Sequence, residues 1–243
     1  MTSDALPATT VAVDLVILTL REGNFSVLLV QREEDPFGKA WALPGGFVDI
    51  DEDLVDAAHR VLHAEASLGE DRVYLEQVRT FGAPGRDPRG RVISVVFMAL
   101  GADLPDPVRG EQVADARWWA VDDLTTVDLA FDHQELLDAA IERARSKLEY
   151  TTLATTFLPE EFTISQLRRV YESVWGGHLD AGNFHRKATR TAGFLEELDK
   201  RVESTGGRPA RLFRAGIGRT LNPPLLRVAG ESGDLDGAAP TPR

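Results

Sequence analysis

Three groups of residues in the 243-residue chain have types and spacings that could do chemistry. The first is Glu52, Arg60 and Glu65, within GGFVDIDEDLVDAAHRVLHAEASL from Gly45 to Leu68. A Pro-Gly-Gly break and the acidic run Asp49–Asp53 precede a helical pattern from Asp53 to about Ala66, as suits a helix N-terminus. Carboxylates on one face of such a helix can hold Mg²⁺, which polarises a phosphoryl group and activates water. Positions 61, 64, 65 and 68 share a face by their spacing. Only Glu65 among them is a carboxylate, because Val61 and Ala64 occupy the neighbouring places. Val55, Ala58 and Leu62 form another stripe, expected to pack on a sheet. The second group is Arg86, Arg89 and Arg91 in RTFGAPGRDPRGRVISV. Guanidinium forks fit phosphates bidentately, although a solvated basic loop on an acidic domain would read the same. Trp41 and Phe47 could stack on a base or ribose, with a core or rim role equally open. The third group is basic and lies in the second half: Arg168, Arg169, Arg186, Lys187, Arg190, Arg208 and Arg211.

The charge distribution divides these groups. The chain carries a net charge of −12, which by itself argues against nucleic acid as a partner. Residues 1–150 hold 14 Lys and Arg against 28 Asp and Glu, whereas residues 151–228 hold 12 against 8. A basic half behind an acidic one suggests two tasks. With 43% hydrophobic and 27% charged residues the composition is that of a globular protein. No apolar run reaches the length of a membrane span, and no basic and apolar leader opens the chain. Cysteine is absent, so disulfides and thiolate metal sites are excluded and a cytoplasmic location is expected.

The elements that must position these groups follow from periodicity. VAVDLVILTL (Val11–Leu20) and FSVLLVQR (Phe25–Arg32), joined by REGN, read as a hairpin. VYLEQVRTFG and RVISVVFMAL read as strands around the loop APGRDPRG, and ARWWAV as a short strand. Asp132 and Glu135 form an Asp-x-x-Glu cap ahead of the helix LLDAAIERARSKLEY. The apolar period fails around Tyr150, where a domain junction is expected. Beyond it, Ile164, Leu167, Val170, Tyr171 and Val174 fall at helical spacing. GGHL stops that helix, and Asp180 is placed as the N-cap of the next. Two short strands around Gly-Gly-Arg-Pro follow. In this second helix Arg186, Lys187 and Arg190 form one basic face, and Asn183 and His185 lie near its start, where a recognition helix meets base edges. Arg208 and Arg211 flank Pro209 in the hairpin, and Arg168 and Arg169 suit phosphates. The same helix–helix–hairpin order also serves as a protein-docking module. From residue 229 the composition is that of a disordered tail.

Gly46, five residues, Glu52, seven residues and Arg60 match the first part of the Nudix signature, preceded by WALPGGFV. The signature continues Arg-Glu-aliphatic-any-Glu-Glu-any-Gly-aliphatic. Here RVLHAEASL keeps Arg60, Leu62, Glu65 and Leu68 and departs at Val61, Ala64 and Ser67. The full run, roughly Val11 to Arg214, resembles the Nudix-related transcriptional regulators of NAD metabolism, the NrtR family. The matching pieces are Phe131–His133, Lys147–Tyr150, Asn183–Phe184, Arg186–Lys187 and Gly207–Arg214. Where such regulators carry extra basic residues, this chain has Ala181, Gly182 and His185, which bears on operator sequence and affinity.

The resemblance implies a Nudix-type α/β/α sandwich with a mixed sheet over residues 1–150. It implies a winged helix-turn-helix over 151–228, and composition places a disordered tail at 229–243. It implies a Glu52–Arg60 salt bridge that shapes the loop, and Arg32, Trp41, Gly45, Gly46, Arg86 and Arg91 as ligand-binding residues. The effector would be ADP-ribose or a related nucleotide, with no required cofactor and Mg²⁺ only if hydrolysis persists. The partner would be a palindromic double-stranded DNA operator of NAD synthesis or salvage genes, bound by a homodimer. Two alternatives stay open: a metal-dependent ADP-ribose or nucleotide-sugar pyrophosphatase, and a sugar-responsive regulator of the same architecture.

Overall fold

The hairpin expected at the start of the chain is present in the computed structural model, which describes residues 9–66, 73–107, 113–204 and 207–227. β1 (Thr10–Arg21) and β2 (Asn24–Arg32) pair antiparallel, with Arg21 opposite Asn24. Between them Glu22 and Gly23 have φ of 52° and 84°. Positive φ at both positions is the two-residue turn whose twist matches its flanking strands. β3 (Trp41–Ala42), β4 (Gly45–Phe47), β5 (Tyr74–Phe81), β6 (Val92–Leu100) and β7 (Val113–Ala120) complete the sheet. Its order is β3-β2-β1-β6-β5, with β4 also on β1 and β7 on β2. β1 and β6 run parallel and the other pairs antiparallel, so the sheet is mixed. Both central strands are buried along most of their length, which accounts for their near-continuous apolar sequences.

α1 (Leu54–Ala66) covers the sheet with Ala57, Ala58, Val61 and Leu62, which share a core with Val13, Leu15, Ile17 and Val95. This corrects the expected stripe. Ala58 and Leu62 do face the sheet, but Val55 is 47% exposed and Val61 only 3%. Burying a valine side chain is worth about 1.5–3 kcal/mol, so Val61 turns inward and Ala57 comes with it. Ser67 and Leu68 lie outside the described residues.

The chain divides into two compact units, residues 1–143 and 144–243. α2 (His133–Tyr150) runs unbroken to the residue where the sequence pattern fails, and its last turns pack with the second unit. Arg145 Nε donates to the Val174 carbonyl at 2.8 Å, and the Tyr171 hydroxyl donates to the Leu148 carbonyl at 3.2 Å.

In the second unit α3 (Ile164–Trp175) buries Ile164, Leu167, Val170, Tyr171 and Val174, the stripe that its periodicity indicated. A reciprocal cap starts it: Thr163 Oγ1 accepts from the Gln166 N–H, and Gln166 Oε1 accepts from the Thr163 N–H. Gly176, at φ 72°, ends it in the left-handed conformation. α4 (Ala181–Arg190) begins at Asp180, whose Oδ1 accepts from the Asn183 N–H at 2.7 Å. β8 (Leu195–Ser204) and β9 (Gly207–Ala215) pair antiparallel. Two helices followed by a β-hairpin make a winged helix-turn-helix, which follows the Nudix-type sandwich in sequence. The expected tail lies outside the described residues.

Candidate functional site

In the first unit β1, β2, β4, the loop 82–91 and the start of α2 enclose a cavity of about 290 Å³. Its floor is polar. Asp14 on β1 is 7% exposed, and its Oδ2 accepts from the Ser94 hydroxyl on β6. Arg86 lies 4.0 Å from the same oxygen but spends its guanidinium elsewhere. Its Nε and Nη2 donate to the two oxygens of Asp132 at 2.8 and 2.6 Å. Asp132 directly precedes α2, as its reading as a cap required. Its carboxylate, however, goes to Arg86 rather than to the helix N–H groups. A bidentate ion pair offers two charge-assisted bonds, which outweigh a single capping bond.

His133 is buried beside this pair. Its Nδ1 accepts from the Leu43 N–H at 2.9 Å, and its Nε2 lies 3.9 Å from Asp14 Oδ1. Burial pushes the imidazole below its ordinary value, with Asp14 and Asp132 opposing and Arg86 and Arg32 reinforcing. The neutral ring therefore carries its proton on Nε2.

The cavity rim is cationic and aromatic. Arg89 makes a bidentate pair with Asp87, which holds that carboxyl below its ordinary value. The Arg89 guanidinium sits 5.2 Å from the Phe47 ring and 5.3 Å from the Phe131 ring. Arg32 approaches Phe131 at 4.9 Å. Its hydrogen bonds go to the backbone carbonyls of Pro36 and Glu34. Burial and the neighbouring Arg89 depress its pKa. Phe131 has φ 55°, an uncommon conformation for a bulky residue that is held where surroundings over-determine it, often at ligand sites.

Of the expected ligand residues, Arg32, Gly45, Gly46 and Arg86 line this cavity, whereas Trp41 and Arg91 are not among its lining. Trp41 packs edge-on against Trp119 at 5.2 Å, with Arg117 4.4 Å from its ring. Arg91 donates to the Gly82 carbonyl at 2.7 Å and closes its own loop. Asp14, Arg89, Phe131 and His133 are lining residues that the expected set left out. Phe131 and His133 were visible as part of the family resemblance. Asp14 carried only the faint signal of a lone acid inside an apolar strand.

The implied Glu52–Arg60 pair is present. Arg60 donates to both Glu52 oxygens at 2.7 Å and to the Phe47 carbonyl at 2.9 Å, tying α1 to β4. Glu65 falls in α1, but its side chain lies outside the described residues. The donor set does not fit a metal cluster: Val61 turns its methyls into the core and Ala64 has no oxygen. Among the described residues no group of three His, Asp or Glu could hold a metal ion.

The second unit presents a different surface. α4 buries Phe184 and Ala188 and exposes His185, Arg186, Lys187 and Arg190. The Asn183 side chain accepts from Arg186 Nη2 at 2.7 Å. Arg168 is committed within the domain, to Glu172 Oε1 at 2.8 Å and the Leu179 carbonyl at 2.9 Å. Arg169 is exposed and has one long bond to the Ser165 carbonyl. Arg211 on β9 pairs with Glu197 on β8. His185, Arg201 and Arg211 line a groove of about 350 Å³ between the start of α3 and the wing. The Arg208 side chain lies outside the described residues.

Comparison with known proteins identifies both domains. Residues 8–140 match the model of the NUDIX domain, and residues 154–215 match the NrtR DNA-binding winged helix domain. The chain is 36% identical over 213 residues to an ADPR responsive transcriptional repressor of Acinetobacter baylyi, covering 87% of this chain and 84% of that protein. The crystal structure of Shewanella oneidensis NrtR with a 27mer DNA superposes with a TM-score of 0.71 at 32% identity, over 84% of this chain and 93% of that one. The NUDIX domain of the same protein, complexed with ADP ribose, superposes with a TM-score of 0.54 at 35% identity, over 59% of this chain and 94% of that one. The chain belongs to the Nudix family, as one of its members that carry an NrtR-type DNA-binding winged helix domain.

Proposed function

We propose that this chain is a ligand-responsive DNA-binding repressor of NAD synthesis or salvage genes. It senses ADP-ribose, or a related pyridine-nucleotide product, in its Nudix cavity. The observation that carries the reading is the pairing of a cationic cavity with an exposed basic helix in one chain. In the cavity, Arg32 is a partly desolvated cation bonded to backbone carbonyls, and Arg89 stands close enough to depress its pKa. A diphosphate between them relieves that repulsion. Phe47 and Phe131 supply apolar faces at the rim. Val61 and Ala64 remove two of the three carboxylates that a Nudix hydrolase would use, so the chain binds its nucleotide rather than cutting it. The names of its relatives point the same way, as a repressor responsive to ADPR and a regulator crystallised with DNA.

On DNA, α4 enters the major groove. His185, Arg186 and Lys187 lie towards base edges and Arg169, Arg190 and Arg211 towards phosphates. A ten-residue helix reads one half-site, so the protein acts as a homodimer on a palindromic operator in the cytoplasm.

Gel shift with DNA from the chain's own upstream region tests this reading. The expected result is a sequence-selective complex that weakens with salt. Replacing Arg190 by Ala reduces the slope of log affinity against log salt by about 1. A complex with no preference over random DNA would refute the regulator.

A further inference from the structure

We propose that Asp14 Oδ1 and the His133 Nε2–H act together as acceptor and donor for one hydroxyl of the effector's ribose. The inference rests on the nucleotide-sugar reading above and gives it a residue-level basis for recognising the sugar.

Both groups are buried in the cavity wall, and both have unused capacity on the side that faces the cavity. A buried carboxylate is costly unless its oxygens are bonded. Asp14 Oδ2 has the Ser94 hydroxyl. Oδ1 has no donor within hydrogen-bond distance among the described residues, and its nearest titratable neighbour is His133 Nε2 at 3.9 Å. Arg86, which approaches this carboxylate to 4.0 Å, is held bidentate by Asp132. On the other partner, His133 Nδ1 is filled by the Leu43 N–H, which leaves the ring's proton on Nε2. That N–H also finds no acceptor within hydrogen-bond distance among the described residues.

The backbone opens this pair to the cavity. A Cβ added at Gly45 would stand 2.3 Å from Asp14 Oδ1 and 2.9 Å from the Val13 carbonyl. Oδ1 thus occupies the space that any side chain at position 45 would need. Gly45 is the residue beside which the carboxylate reaches the cavity.

The ligand chemistry follows from the donor and acceptor set. A gap of 3.9 Å is too long for the two groups to satisfy each other. It is short enough for one sp³ oxygen to sit between them, accepting from Nε2–H and donating to Oδ1. An ionised phosphate oxygen cannot donate, and the carboxylate repels it. The phosphates go instead to Arg32 and Arg89 at the rim. A sugar hydroxyl next to a diphosphate has both capacities and the right reach. The edge of adenine also offers a donor and an acceptor, and the experiment separates the two.

Affinity is measured for ADP-ribose, for analogues each lacking one ribose hydroxyl, and for the hypoxanthine analogue, on the full-length protein and on Asp14→Ala. The expected result is that one deoxy analogue binds wild type roughly 10- to 100-fold more weakly, the loss typical of a hydrogen bond to a charged group. In Asp14→Ala the penalty of that analogue against ADP-ribose shrinks, because only the bond from His133 Nε2–H is still lost with the hydroxyl. An equal penalty in both proteins, or a penalty that falls on the hypoxanthine analogue and vanishes in Asp14→Ala, overturns the inference. If Asp14→Ala fails to fold, the wild-type protein crystallised with ADP-ribose decides. A ribose hydroxyl bonded to Oδ1 supports the pair, and phosphate, base or nothing there refutes it. Wild type that binds no ADP-ribose at all refutes the effector reading itself, and this inference with it.

Discussion

At the residue scale the pocket is a set of long-range pairs, and this decides what the sequence could show. Arg86 and Asp132 are 46 positions apart, and Asp14 and Ser94 are 80 apart. Local patterning has no means of joining them. The arginine triplet in RTFGAPGRDPRGRV was legible as a candidate phosphate site. Which arginine faces the cavity was not, because Arg91 closes its loop while Arg86 is buried on Asp132. Glu52 and Arg60 were legible only because a known signature spaces them so. Two predictions belong here. Replacing Arg86 by Met leaves Asp132 and Asp14 facing each other without the cation that separates them. Breaking a buried pair in this way costs about 3–5 kcal/mol, read as a lowered urea midpoint at unchanged slope; a loss under about 1 kcal/mol would show the pair to be solvated. The second concerns protons. Burial lowers the His133 pKa from its ordinary 6.5. The unfolded chain therefore takes up this proton first as the pH falls. The stability is whole above about 6.5 and declines below it, since the unfolded state there binds more protons. Urea midpoints between pH 7.5 and 5 should fall less steeply for His133→Gln than for wild type. Parallel profiles would contradict the assignment.

At the element scale most of the architecture was readable, and the exceptions have physical causes. The stripe of α3 was legible because five apolar residues at helical spacing leave one face to bury. Its cap makes a test. Thr163→Ala removes the Oγ1 acceptor of the Gln166 N–H and should cost about 1 kcal/mol. Thermal unfolding of the full chain would record it, and an unchanged transition in that unit would deny the cap its role. α1 was read one row out of register. Ala58 and Leu62 were placed on the sheet with Val55, yet Ala57 and Val61 take the neighbouring row. The family pattern puts a metal ligand at position 61, which made an outward-facing side chain the natural expectation. A valine there follows burial instead, and the helix keeps its packing role without a carboxylate at that place. The end of the first unit was also hard to see, because α2 continues through the place where the chain's composition changes. Composition records what a segment is made of, whereas packing of Tyr171 and Val174 on α2 decides which unit its last turns join.

At the scale of the whole molecule, the acidic first half and basic second half correspond to two different surfaces. One is a cavity whose free chemistry suits a diphosphate and a sugar hydroxyl. The other is a helix whose exposed side is cationic. Regulation requires that the two be linked in free energy, and linkage is reciprocal: whatever factor ADP-ribose applies to DNA affinity, DNA applies to ADP-ribose affinity. A ligand that bound both states of the protein equally would change nothing, however tightly it bound. The most direct measurement is the dissociation constant for operator DNA, by fluorescence anisotropy, with and without saturating ADP-ribose. It is run beside the dissociation constant for ADP-ribose with and without DNA. Both should move by the same factor, of order 5- to 150-fold, with ADP-ribose intact at the end of the titration. Tight binding of each ligand with no mutual effect, or AMP accumulating in the cell, would contradict the account.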